Sequence, residues 1–289
     1  VKLSHPATEI IRRRFSCREY RKRPLAKQVR RRLQDFLFSP PRGLWGTPVR
    51  FRLEAATEQD PQSLRGLGTY GFIRHPPAFI LGASRHAEKD LEDFGYAMEC
   101  IILFATELGL GTCWLGGTFT KSRFARRMGL RADETMPAVV SVGAIAAQSP
   151  ARRLVMARRP AEARRLPWER IFFNGDFDTP LLAGDAGAFV TPLEMVRIAP
   201  SASNQQPWRI VRQGAGWHFY MRRTRGYSDG LGFKLVGLAD LQRVDIGIAM
   251  SHFELSCQEL KLGGEWAVQD PAIPLPDGLT HYVVSWRGG

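Results

Sequence analysis

"DFGYAMECIILFATELGLGTCW", residues Asp93 to Trp114, is matched without a gap by "DIGIAMSHFELSCQELKLGGEW", residues Asp245 to Trp266. Asp, Gly, Ala-Met, Glu-Leu, Leu-Gly and Trp return at one offset of 152 residues. One coincidence says nothing. A register kept over the whole stretch says that the chain carries two copies of one unit. Two weaker echoes agree: "GTPVRFRL" (Gly46 to Leu53) resembles "QQPWRIVR" (Gln205 to Arg212), and "VVSVG" before the midpoint resembles "VVSWR" at the end. A repeat this long is a duplicated domain, not a solenoid.

Within the first copy, Phe94, Met98, Ile101, Ile102, Ala105 and Leu108 recur at helical spacing. Tyr96, Ala97, Leu103 and Phe104 fill the other faces. A helix apolar nearly all round is buried on several sides. It is expected to pack against its copy, as the central helix of a dimer would. Further helices are expected near 6–14, 26–38, 121–128 and 160–170. Strands fit "VRFRLEA", "AFILGA", "AVVSVGAI", "RIVRQ", "WHFYMR" and "HYVVSW". This is an α+β pattern with short, mostly antiparallel strands. The expected architecture is a pseudo-dimer in one chain: two antiparallel-sheet α+β halves, 1–155 and 181–289, joined by an Arg/Pro-rich linker at 156–180.

Bulk properties narrow the function classes. At 289 residues with 44% apolar side chains, the chain is long enough for two domains with a sizeable core. No apolar run reaches the roughly 20 residues of a membrane span. The opening "VKLSHPATEIIRRRF" lacks the apolar core of a signal peptide. Cys17, Cys100, Cys113 and Cys257 show no paired spacing and read as free thiols in a reducing cytoplasm. The six histidines are scattered with no metal motif, so no metal is expected. The net charge of +13 is concentrated in "IRRRFSCREYRKRPLAKQVRRRL" and "ARRLVMARRPAEARR". It admits a solvated Arg-rich surface, attraction of a phosphate-bearing cofactor, or sequence-blind nucleic-acid binding. No zinc finger, RRM signature or KH loop supports the last, and no nucleic-acid partner is expected.

Several short motifs carry chemistry. "RRRFSCREY" sets Arg14, Ser16 and Arg18 two apart. In an extended segment they share a face, and guanidiniums with a hydroxyl suit a phosphate. The alternative is an exposed basic strand. "GLGTYG" (Gly66 to Gly71) has the spacing of a dinucleotide loop, but no apolar strand precedes it and "FIRHPP" follows where a helix should start. In "GLGTCWLGGTF", Gly109 and Gly111 end the central helix, and Gly116 and Gly117 leave backbone N–H groups open to a flat ligand or simply make a turn. "APSASNQQPW" offers hydroxyls and amides without charge, suited to a polar uncharged edge. Its alternative is a polar turn with Trp208 plugging the core.

Taken together, the Arg-x-Ser-x-Arg segment, "PSASNQQPW", "GLGTCWLGG" after a buried helix and "RRP" beyond a "VSVG" strand resemble the FMN-dependent nitroreductase superfamily, in particular its tandem-duplicated TM nitroreductase branch. The resemblance covers nearly the whole chain. It implies FMN as cofactor, NAD(P)H as electron donor and a nitroaromatic, quinone or similar small acceptor. It implies phosphate and ribityl contacts from Arg14, Ser16 and Arg18, backbone near flavin N5 from Gly116 and Gly117, and a further phosphate contact from Arg158. Pro200, Ser201, Ala202 and Asn204 match the loop that a partner subunit supplies in homodimeric members. Here the second half of the same chain is that partner, so a monomer suffices. No side chain is assigned as a catalytic acid or base. A flavin carrier or sensor without turnover, and a specialised flavin enzyme such as a dehalogenase or dehydrogenase, stay open as alternatives.

The two halves are not equivalent. The first-half counterpart of "APSASNQQPW" is "SPPRGLWGTPV" (Ser39 to Val49), which lacks the matching Ser and Asn. The second-half counterpart of the Arg-rich segment is placed near "FFNGDFDTP" (Phe172 to Pro180), made acidic by Asp176 and Asp178. Val268 and Gln269 stand where the first half has Gly116 and Gly117. The expectation is one composite site and one FMN per chain.

Overall fold

The computed structural model describes residues 3–146, 165–225 and 239–288. Its first half holds α1 (Ala7–Arg13), α2 (Lys27–Phe38), β1 (Val49–Ala55), β2 (Ala78–Arg85), α3 (Asp90–Glu107), β3 (Leu110–Leu115), α4 (Lys121–Met128), β4 (Glu134–Thr135) and β5 (Val139–Ala144). The second holds β6 (Phe172–Asn174), α5 (Val190–Arg197), β7 (Trp208–Gln213), β8 (Gly216–Arg222), α6 (Leu241–Glu259), β9 (Glu265–Ala267) and β10 (Thr280–Arg287). One sheet runs β1-β2-β5-β3, with β4 beside β2; the other runs β6-β7-β8-β10-β9. Without β4 and β6 the two orders coincide strand for strand. Every pairing is antiparallel except β6 on β7. The expected α+β fold of two equivalent halves is therefore present, and one apolar core runs through both.

Two expectations need correction. Of the helix expected at 160–170, the described part is a single 3-10 turn at Trp168–Arg170, because β6 begins at Phe172. The second concerns "FFNGDFDTP". The segment after α1 lies along β3, with Ser16 bridged to Thr112. Phe172–Asn174 instead pairs with β7, at the opposite edge of its sheet. Phe172 is buried against Trp168, ring centroids 4.4 Å apart, which anchors the segment there. Asp176 builds its own turn by accepting from the N–H groups of Asp178 and Thr179 at 3.0 and 2.9 Å. It does not stand in the place of Arg14 to Arg18.

The central helices α3 and α6 cross in direct backbone contact. A Cβ on Gly95 would lie 2.1 Å from the Val244 carbonyl oxygen, and one on Gly247 would lie 1.9 Å from that of Glu92. These two glycines occupy equivalent places in the repeat. The far ends of both helices are tied to the N-terminal segment by equivalent glutamates. Glu107 accepts from the N–H groups of Ser4 and His5, and Glu259 from that of Thr8 at 2.8 Å. This fixes α1 across the two halves and so fixes Arg14, which follows its last turn.

Near the start of each central helix an aspartate holds a loop, the one leading into β1 in the first half and into β7 in the second. Asp93 accepts from the N–H groups of Trp45 (3.2 Å) and Thr47 (2.8 Å), one on each oxygen. Among the described residues Asp245 accepts only from the N–H of Ala202 (2.9 Å), and its Oδ2 is buried with no partner there. Burial raises both carboxyl pKa values. At Asp93 the Thr47 and Trp45 N–H groups oppose it; at Asp245 the Ala202 N–H opposes it and Asp240 adds to it, and the value stands well above the usual range.

Replacing Gly247 by Ala should force the helices apart and cost about 1–3 kcal/mol by chemical denaturation. Gly263→Ala, with no atom within 4 Å of the added Cβ, should stay within about 0.5 kcal/mol of the parent. The aspartates should separate in the same assay. Asp93→Asn turns one acceptor into a donor facing an N–H and should cost about 1–3 kcal/mol. Asp245 behaves otherwise. Its raised pKa gives stability below the unfolded carboxyl value that is lost as pH rises through the folded one. Asp245→Asn removes that loss, so the variant should match or exceed the parent at pH 8. A large loss there would contradict the assignment.

Candidate functional site

The basic segment leaves α1 and runs beside β3. Cys17 N–H donates to the Thr112 carbonyl at 2.8 Å, and Arg74 N–H donates to that of Arg18. This puts Ser16 and Arg18 on the exposed side, with Cys17 buried between them. Arg18 lies over the Phe72 ring at 4.8 Å. Arg14 departs from the expected common face: its side chain is only 7% exposed and turns inward to Glu99 at 3.7 Å. Both arginines still converge on β3. Burial raises the Cys113 thiol, and the charges of Arg18 and Arg14 pull against it. Gly116 and Gly117 follow β3 directly, Gly117 exposed. A Cβ on Gly116 would meet Leu241 Cδ1 at 2.3 Å, so glycine there lets the loop close onto the first turn of α6.

The loop from Pro200 to Gln206 sits over the same end of α6, tied to Asp245 through Ala202. Its polar side chains largely build the loop itself. Ser201 Oγ accepts from Gln206 N–H at 2.9 Å, buried Gln206 accepts from Leu166 N–H at 2.7 Å, and its amide donates to the Asn204 carbonyl at 3.0 Å. Asn204 is exposed, with its side-chain oxygen bound by Arg165. Ser203, Asn204 and Gln206 all hold left-handed backbone, at φ 50°, 57° and 49°. Such strain, of order 1–3 kcal/mol per residue, persists where the surroundings impose it and gathers at functional sites. Pro200 and Trp208 are buried, Trp208 as a core side chain. Behind the loop, buried Arg209 donates to the Gln206 and Trp208 carbonyls at 2.9 and 2.6 Å. Burial, with Arg222 and Arg170 nearby, lowers its pKa to about 10.

A hub absent from the motif reading connects these parts. Fully buried Glu99 accepts from Trp114 Nε1 at 2.8 Å, meets His252 Nε2 at 3.0 Å and faces Arg14. Burial pushes its pKa up; His252, by hydrogen bond and charge, with Arg14 and Trp114, outweighs that and holds it below the usual range. Burial lowers Arg14, with Glu99 and Cys113 opposing. Thus α6 meets Gly116 at Leu241, the loop at Asp245, and Arg14's partner at His252. The last two stand roughly 10 Å apart along the helix. The available signal was a lone Glu inside "MECIILFA". Arg158 lies outside the described residues.

Arg14 also lines a pocket of about 130 Å³ with Arg13, Phe15, Thr106 and Ile145. All four cysteines are buried, and none is joined in a disulfide. Among the described residues no cluster of His, Cys, Asp and Glu could hold a metal, and no helix is long and apolar enough to cross a membrane.

Comparison with known proteins agrees with this architecture. A protein of Thermotoga maritima described as a "putative nitroreductase", known from its crystal structure, aligns over 99% of this chain and 95% of its own, with 18% identity and a TM-score of 0.60. A "putative nitroreductase in complex with FMN" from Desulfovibrio desulfuricans aligns over 53% of this chain and 96% of its own, at 24% identity and TM-score 0.39. One with bound FMN from Desulfitobacterium hafniense aligns over 51% and 93%, at 18% and 0.40. No curated protein matches the chain in sequence. The family model described as "Putative TM nitroreductase" matches residues 7–257, and the chain belongs to that family.

Proposed function

We propose that this chain is an FMN-dependent oxidoreductase of nitroreductase type, passing electrons from NAD(P)H to a small acceptor such as a nitroaromatic or quinone. Arg14 carries the reading. Its buried Nε finds no acceptor among the described residues, the residue borders a pocket, and it begins the β3 edge that leads past Ser16 and Arg18 to Gly116. A phosphate is the kind of acceptor that such a group lacks. The residues therefore fit FMN, and family membership supports the choice.

On this reading Arg14 and Arg18 hold negative charge, Ser16 donates to phosphate or ribityl, and Gly116 and Gly117 offer backbone N–H groups. The loop at Pro200, Ser201, Ala202 and Asn204 closes the site from the other half. Arg158 is a further phosphate contact. Residues 1–155 and 181–289 act as the two halves, 156–180 as their link, in a cytoplasmic monomer. When bound, the flavin supplies hydride uptake and onward electron transfer. The chain supplies position and a fixed positive potential.

One site per chain follows from the quasi-equivalent position. There Lys89 Nζ lies over the Trp45 ring at 5.9 Å, and Arg243 is committed to Glu92 and Asp90. Those carboxylates and Asp93 would face an incoming phosphate, and like charges repel it. Asp176 and Asp178 lie elsewhere, in the turn after β6 at the opposite edge of the sheet.

Titration of the apoprotein with FMN, read by flavin fluorescence, should end at one per chain; an end point near two would refute the asymmetry. Arg14→Ala with Arg18→Ala should weaken FMN binding on the order of a hundredfold, at about 1.5–3 kcal/mol per charged hydrogen bond. A folded double variant with unchanged affinity would overturn the phosphate assignment. Absence of flavin bands at saturating FMN would overturn the proposal itself.

A further inference from the structure

The Glu99 hub contains one carboxylate and two cationic partners, and they are not treated alike. His252 Nε2 stands at hydrogen-bond distance, 3.0 Å, whereas Arg14 Nε stands at 3.7 Å and makes no hydrogen bond among the described residues. Arginine beside a carboxylate ordinarily closes to about 2.7–2.9 Å, often through two bonds. Here Trp114 Nε1 and His252 have taken the Glu99 oxygens instead.

The other His252 nitrogen decides where the proton is. Nδ1 lies 2.9 Å from the Met195 carbonyl oxygen, which only accepts, so Nδ1 carries a hydrogen. The contact between Nε2 and Glu99 then needs one more proton. Trp114 Nε1 and the Arg14 charge both favour the carboxylate form of Glu99, which places that proton on the imidazole side of the contact. His252 is on α6 in the second half; Glu99 and Arg14 are in the first. The Glu99–His252 pair is then neutral as a unit, and the Arg14 charge is left over.

We propose that His252 is a positioning residue acting across the pseudo-dimer: by holding the Glu99 carboxylate it keeps the Arg14 guanidinium free for an external anion. With the flavin reading above, that anion is the cofactor phosphate. If His252 becomes a neutral side chain, Glu99 is uncompensated, Arg14 closes onto it, and the pocket loses its surplus charge.

The test uses the full chain as apoprotein, with nitrogen NMR on the His252 ring and the Arg14 Nε–H group. In the parent, His252 should show both ring nitrogens protonated at pH 7, and Arg14 Nε–H should resonate as a group without a strong acceptor. His252→Gln should move that resonance to the hydrogen-bonded range and weaken FMN binding on the order of tenfold. Adding Glu99→Gln to it removes the unpaired carboxylate and should return both the resonance and the affinity toward the parent. A role in packing alone predicts that the second substitution worsens the first. A singly protonated His252 in the parent, or no rescue in the double variant, would overturn the inference. Should the parent bind no FMN, the flavin reading falls, while the two resonances still decide whether His252 frees Arg14.

Discussion

The structure depends on the crossing of α3 and α6. Gly95 and Gly247 let the two backbones touch where any side chain would collide with a carbonyl oxygen. Close approach then brings Glu99 within hydrogen-bond reach of His252 and sets Leu241 against Gly116. Helices held further apart would break the contact between Glu99 and His252 and leave the buried carboxylate without its cationic hydrogen-bond partner, a cost of several kcal/mol. The crossing and the polar hub therefore require each other.

Duplication followed by divergence explains the uneven use of equivalent positions. Glu107 and Glu259 still do the same work, each accepting from the N-terminal segment. Asp93 and Asp245 have drifted. The first satisfies both oxygens, whereas in the second half Ser201 has taken the Gln206 N–H and Asp245 is left with one donor. The loop that lost this support is the one with three left-handed residues. Strain and a buried carboxyl with one oxygen unpartnered among the described residues occur together on the side where the candidate site lies, and a carboxylate with both oxygens bonded lies on the side where Lys89 stands over Trp45.

The same asymmetry appears in the charge. Arg243 is spent on Asp90 and Glu92 at the start of α3. Arg14 shares its one carboxylate with a histidine. Basic composition alone does not distinguish these cases. An arginine is available to a ligand only where the surrounding carboxylates are outnumbered, and that is a property of local geometry.

The sequence by itself determined the duplication, the two central helices and the α+β class, because these rest on local periodicity and a conserved register between Asp93–Trp114 and Asp245–Trp266. It also picked out the segments around Arg14, Gly116 and Asn204, because each departs from ordinary composition within a few residues. Only the tertiary structure decided what those side chains do. Arg14 turns inward because Glu99, far along the chain, is buried beside it. Of the amides of "SNQQ", Gln206 braces its own loop, whereas Asn204 and Gln205 are met by Arg165 and Thr224 from outside it. "FFNGDFDTP" joined β7, not the edge of β9, because Phe172 found its burial there. Each of these outcomes is a competition between partners distant in sequence, and proximity of that kind exists only once the chain has folded.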